Sequence, residues 1–176
     1  MKTFRILFSC GLLMSICVIG SLAESIQTDY DHSFNLAKLK TYSFLQQQRK
    51  PEDPLAVAPL NDRRIHDALD SELKAHGLTD STAGQPDFTI AYFVSTRAGL
   101  DIQDNRFGLL QRTGGLSVNQ VTEGKLVIVF TDNATHLEVW RGIVAGEINQ
   151  KHMDKDVKKD IAKLVQKFVK NQSGKD

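Results

Sequence analysis

Asp62, His66 and Asp70 recur every fourth residue, the spacing that brings side chains onto one face of a helix. Two carboxylates around an imidazole have the chemistry to hold a metal or pass a proton. The chain has no His-Glu-x-x-His or comparable ligand spacing. The apolar stripe Ile65, Ala68, Leu69, Leu73 lies on the opposite face of the same helix, which predicts a solvated row of weak i,i+4 pairs and no metal. Asp29-Tyr30-Asp31 offers a second arrangement, because i and i+2 of a strand share a face and two such carboxylates resemble an acid/base pair. Aspartate also favours turns, so the plainer expectation is a polar strand edge entering one. Trp140-Arg141 could stack on a ligand, but a sole tryptophan on an apolar strand reads as core. No Gly-x-Ser-x-Gly elbow, phosphate-binding glycine loop or dinucleotide fingerprint occurs, and Gly114-Gly115 lacks a following lysine. Asn133-Ala134-Thr135 and Asn171-Gln172-Ser173 match a glycosylation sequon too short to carry weight. These residues predict no catalysis, no cofactor and no metal.

The elements that would position these residues follow from periodicity. Strands are expected at Ile26–Tyr30 and Thr41–Leu45. Gln46 to Pro59 holds three prolines and reads as an irregular linker. A helix runs from about Asp62 to His76 and stops at Gly77. Asp87–Ser95 alternates Phe88, Ile90, Tyr92 and Val94 on one face, with Ala91 and Phe93 on the other. Lys125–Thr131 is a continuous apolar run, as in a central strand. After a turn at Asp132–Thr135 the chain returns as a strand over Leu137–Ile148, forming an antiparallel hairpin. Gly142 and Gly146 in that strand predict close approach of a helix backbone. Asp154–Val169 carries Val157, Ile161, Leu164, Val165 and Phe168 on one stripe, with lysines and aspartates on the solvated remainder. Strands and helices do not alternate strictly. The fold class is therefore α+β: a mostly antiparallel mixed sheet of about five strands with two helices on one face.

Arg97–Gly124 fits no period and is too long for an ordinary loop. It is either a long hairpin with a loose tip or a partner-binding segment carrying Leu100, Ile102, Phe107, Leu109 and Leu110.

The N-terminus is built for export. Lys2 and Arg5 precede an apolar run from Ile6 to Ile19, and Ser21-Leu22-Ala23 is a small-x-small cleavage site. The expectation is a signal peptide over residues 1–23, cut after Ala23, and a single domain over 24–176. The run is shorter than the ~20 residues that span a bilayer. Cys10 and Cys17 both lie within it, so the mature chain would hold no thiol. Lipidation at Cys17 is the alternative, although Ile16 is large for the position before a lipidated cysteine; the chain would meet a membrane only if lipidated. Removing Lys2 and Arg5 turns the formal +1 of the chain into −1, which leaves no field to attract nucleic acid.

A series of short motifs carries a resemblance. It comprises Asp29-Tyr30-Asp31, Phe34, Leu39 and Lys40-Thr41-Tyr42-Ser43-Phe44. Arg64-Ile65, Ala68-Leu69, Glu72-Leu73 and Gly77 follow, then Pro86-Asp87-Phe88 and Ile90-Ala91-Tyr92. Glu123-Gly124, Leu126-Val127-Ile128, Val139-Trp140-Arg141-Gly142 and Gly146 complete it. In this order they resemble domain-of-unknown-function family 4136, bacterial envelope proteins that include many lipoproteins. Phe44 stands where the family commonly has tryptophan, and the lipobox is absent or degenerate. The resemblance implies a Gram-negative periplasmic or outer-membrane setting and no known activity. Together these readings predict an exported accessory protein that binds an envelope protein or cell-wall component. The alternative is a small-molecule carrier with a pocket near Tyr92 and Trp140.

Overall fold

The computed structural model describes residues 25–46, 49–81, 84–104, 116–149 and 151–174, with the backbone alone for 99–104 and 116–121. Residues 1–23, expected to be a signal peptide, with Cys10 and Cys17, lie outside the described residues. Along the chain run β1 (Ser25–Tyr30), a 3₁₀ turn (Leu36–Lys38), β2 (Thr41–Phe44), α1 (Pro54–Val57), α2 (Pro59–Ala75) and β3 (Thr79–Asp80). Then come β4 (Phe88–Asp104), β5 (Leu116–Asp132), β6 (Glu138–Glu147) and α3 (Met153–Gln172).

The stretch expected to be irregular is partly helical. Pro54 and Pro59 each sit at the start of a helix, where the missing N–H would have had no partner and the fixed φ suits the first turn. Asp53 caps α1 by accepting from the Leu55 N–H. The prolines thus begin helices here. At the other end of α2, Gly77 adopts φ +82°, which a side chain would strain. The Leu78 N–H then donates to the Leu73 carbonyl and the Gly77 N–H to that of Lys74, a Schellman ending whose two leucines are both buried.

The sheet has six strands in the order β1-β6-β5-β4-β2-β3. The β1–β6, β6–β5 and β5–β4 pairs are antiparallel. β2 lies parallel to both β4 and β3. The fold is α+β with a mixed sheet, one strand more than expected. The addition is β3, a two-residue strand too short to show a period, held by Thr79 N–H to Lys40 O and Ser81 N–H to Tyr42 O.

α2 and α3 pack together on one face of the sheet, over Phe88, Ile90, Tyr92, Ile128, Phe130 and Val144. Phe168 of α3 sits at the centre of an aromatic cluster, its ring centre 4.8 Å from Phe130, 5.5 Å from Trp140 and 6.1 Å from Phe88. None of these helices covers the other face of the sheet, and Phe93 there is 48% exposed.

One carboxylate joins the two halves of the sheet. Asp87 Oδ2 accepts from the backbone N–H groups of Lys40 and Thr41, both at 2.8 Å, where β2 begins beside β4. The Asp87 N–H in turn meets Thr41 Oγ1 at 2.9 Å. Burial pushes the Asp87 carboxyl up, but the donors of Lys40 and Thr41 outweigh it and hold it below its ordinary value. A carboxyl whose folded pKa lies below its unfolded value adds stability that is complete above about pH 4 and lost as pH falls through the folded value. Asp87→Ala should therefore cost about 2 kcal/mol at pH 7, the scale of charge-assisted bonds lost. The deficit should shrink below pH 4. Urea melts at pH 7 and pH 3 check this; equal deficits at both would refute it.

Candidate functional site

The row Asp62, His66, Asp70 is not the solvated face the sequence predicts. α2 turns it toward the tyrosines of β2 and β4. Tyr92 Oη donates to Asp62 Oδ1 at 2.9 Å, and Tyr42 Oη donates to Asp70 Oδ1 at 2.8 Å. Between these two rungs the His66 ring lies 4.0 Å from Phe44. The reason is geometric: both tyrosines belong to the buried sheet face, and their hydroxyls emerge where α2 presents its polar edge. A tyrosine that buries its ring still needs a partner for its oxygen.

Charged groups close the seam. Arg49 Nη2 lies 2.7 Å from Asp62 Oδ1 and Nη1 lies 3.2 Å from Asp53 Oδ2. Its guanidinium carbon is 5.2 Å from the centre of the Tyr92 ring, within cation–π range. Lys74 Nζ bonds Asp70 Oδ2 at 2.8 Å. Burial, then the bond to Asp62, pushes the Tyr92 phenol up to about 12. Burial and Asp70 raise Tyr42 likewise. Burial raises the Asp70 carboxyl, but the bonds from Lys74 and Tyr42 win and hold it low. At neutral pH the seam is thus protonated phenols donating to carboxylate oxygens. That is the chemistry of a latch between helix and sheet. Arg49 and Tyr42 escape sequence reasoning because their partners lie 13 and 28 residues away.

The other candidate residues lie apart from this seam. Asp29 is exposed on β1. Asp31 lies just past the strand, where its Oδ1 accepts from the N–H and hydroxyl of Ser33 at 2.8 and 2.6 Å. Those donors hold the Asp31 carboxyl below its ordinary value. The two carboxylates therefore belong to a strand edge and a turn, the plainer of the two expectations. Trp140 is core: 1% exposed, 4.8 Å from Phe130, and donating from Nε1 to Asn171 Oδ1 at 3.3 Å. Among the described residues no three His, Cys, Asp or Glu side chains gather to hold a metal ion.

Most of Arg97–Gly124 is paired strand, as the long-hairpin reading has it. β4 and β5 remain paired from Phe88↔Asp132 out to Asp104↔Leu116. Leu100 lies opposite Gln120 and Ile102 opposite Val118. Phe107, Leu109 and Leu110 lie outside the described residues. β6 follows β5 only as far as Glu123↔Glu147, so beyond that pair β4 and β5 continue as a two-stranded ribbon. Alternation along the ribbon puts Leu100, Ile102, Leu116 and Val118 at register positions of one face. Single-strand patterning hides this, because each strand carries only part of the stripe.

A six-stranded mixed sheet with two long helices on one face and a projecting ribbon defines a two-layer α+β domain. The chain belongs to the family described as Domain of unknown function (DUF4136), whose model matches residues 26–171. No curated protein matches the sequence. The fold is similar to that of a PDZ domain protein from Parabacteroides distasonis, with a TM-score of 0.56 and 12% identity. That likeness covers 81% of this chain and 35% of the other, so this chain spans about a third of that protein's length. It is also similar to a PelC dodecamer from Paraburkholderia phytofirmans, with a TM-score of 0.50, 10% identity, and 83% and 97% of the two chains covered. At these identities the likeness is one of fold.

Proposed function

We propose that this chain is an exported accessory protein of the bacterial envelope that binds another envelope protein or a cell-wall component through the β4–β5 ribbon. The observation that carries this reading is the ribbon itself. Among the described residues no third strand pairs with it beyond Glu123↔Glu147; two strands alone are marginal in water, and an apolar stripe on such a pair gains stability when a partner covers it. The N-terminal charge, apolar run and Ser21-Leu22-Ala23 support export to the periplasm. No helix among the described residues is long and apolar enough to cross a membrane. A mass matching Glu24–Asp176 would fix cleavage after Ala23 and rule out lipid at Cys17.

In-cell crosslinking and capture from the envelope fraction tests the binding role. Wild type is compared with a deletion of Asp104–Gly115. The expected result is a reproducible partner for wild type that is lost from the deletion, with cooperative melting retained. An equal partner profile from the two forms would overturn the ribbon reading.

A further inference from the structure

The ribbon leaves a second surface unexplained. On the face of the sheet away from α2 and α3, Phe93, Val127 and Ile143 form one row across β4, β5 and β6. Ala91 and Val129 continue it on one side and Ala145 on the other. An antiparallel sheet with one solvated face normally alternates apolar and polar residues. β5 does not: Leu126-Val127-Ile128-Val129-Phe130 is apolar on both faces, and only the face of Leu126, Ile128 and Phe130 meets α2 and α3. Such a contiguous apolar strip on a folded surface marks an interface.

We infer that this face packs against the same face of a second copy of the chain, forming a two-fold β-sandwich. The rim decides in favour of a second copy. Around the apolar rows stand Arg97, Lys125 and Arg141 against Asp29, Glu123, Glu138 and Glu147, all exposed and on this face by register, with Arg141 bound to Glu138 at 2.6 Å. A rim of one sign repels its own copy and suits an oppositely charged partner. A rim that carries both signs, here three cations and four carboxylates, can pair with itself across a two-fold axis. The surface also has the right form. Flat rows of valine, isoleucine and alanine are what the inner faces of aligned sandwiches carry, with sheets ~10 Å apart. Four strands ~4.8 Å apart and about seven residues long present roughly 450 Å² in projection. Side-chain relief brings that toward the ~800 Å² per partner of a standard interface. This inference does not use the ribbon and goes beyond the binding role assigned to it.

The test is sedimentation analysis of the protein expressed as the full chain and purified in its exported form, over about a hundredfold range of concentration. Wild type should sediment as a dimer that dissociates on dilution. Val127→Lys should raise the dimer dissociation constant about tenfold or more, since closing the face would bury an unpaired ammonium. Phe93→Lys should do the same; its site is half in solvent, so it decides the matter if Val127→Lys fails to fold. The Asp104–Gly115 deletion should stay dimeric. A wild type that is monomeric throughout overturns self-association, even if it still captures an envelope partner through the ribbon. A dimer that persists in both folded lysine variants overturns it as well. A dimer lost in the variants, with no envelope partner captured, supports it while the ribbon reading fails.

Discussion

Replacing Phe168 with alanine should lower the unfolding free energy by about 4 kcal/mol, the upper part of the range for a buried aromatic. Phe168 is fully buried and is the point where α3 meets three strands: Phe88 of β4, Phe130 of β5 and Trp140 of β6. Its ring meets Phe130 at 88° and Trp140 at 70°, edge-to-face geometry that adds to simple burial. The hole left by alanine has rigid walls. Phe88 and Phe130 are pinned by sheet pairing, and Trp140 is tied through Nε1 to Asn171 on the same helix. A site that cannot collapse retains the full cavity cost. Urea titration followed by the fluorescence of Trp140 reads this directly. The midpoint should fall with the slope unchanged, because the surface exposed on unfolding is nearly the same. A loss below about 1 kcal/mol would mean that the helix is not seated on these rings. Phe168→Leu, which keeps most of the volume, should cost well under half as much.

That core was legible in the sequence because both of its periods are strong. Val157, Ile161, Leu164, Val165 and Phe168 mark one stripe of a helix, and Phe88, Ile90 and Tyr92 mark one face of a strand. The burial pattern follows both. The helix of residues 59–75 and the β5–β6 hairpin were legible for the same reason. What escaped lies where the cause is not local. Pro54 and Pro59 look like breakers until the chain on either side is seen to need a helix start. β3 is two residues held by β2, and no two-residue strand has a period. The outer half of β4 is hard to read because only Ala98, Leu100 and Ile102 mark its apolar face, alternating with Arg97, Asp101 and Gln103 beside Gly99; its continuity comes from register with β5.

The polar residues show the same division. Asp62, His66 and Asp70 were recognisable as one row by spacing alone. Where that row pointed depended on the tyrosines of β2 and β4, which reach it only after the sheet has formed. The apolar stripe on the opposite side of α2 correctly marked the core, but a helix lying near the margin of a sheet can touch it with its polar flank too. The row is thus a set of long-range bonds that fix how α2 lies on the sheet.

Gly142 shows how far a correct local reading can miss the cause. A glycine inside a strand signals close approach, and the sequence suggests a helix backbone as the neighbour. The neighbour is instead a ring from the same strand. A Cβ at Gly142 would lie 2.5 Å from Trp140 Cη2, 2.9 Å from its Cζ3 and 2.9 Å from Leu164 Cδ2. Trp140 therefore lays its ring along the sheet over the residue two places on, and the absent side chain is the space it occupies. Leu164 can rotate away, but Trp140 cannot readily move. Phe130 and Phe168 flank it, and lifting it would break the bond to Asn171. Gly142→Ala should therefore cost about 3 kcal/mol, the top of the usual range for overpacking. Gly124→Ala provides the contrast: its nearest neighbours are the side-chain atoms of Ile148, at 2.7 Å, just beyond the end of β6. A single flexible side chain can yield there, and the cost should stay near 1 kcal/mol. Trp140→Phe removes the part of the ring that Gly142 accommodates. In that background Gly142→Ala should lose at least half of its penalty, a coupling within the range for side chains in contact. Thermal and urea melts of the four proteins in this cycle decide it. An alanine penalty of the same size with tryptophan or phenylalanine at position 140 would place its origin in the backbone of β6 and refute the collision.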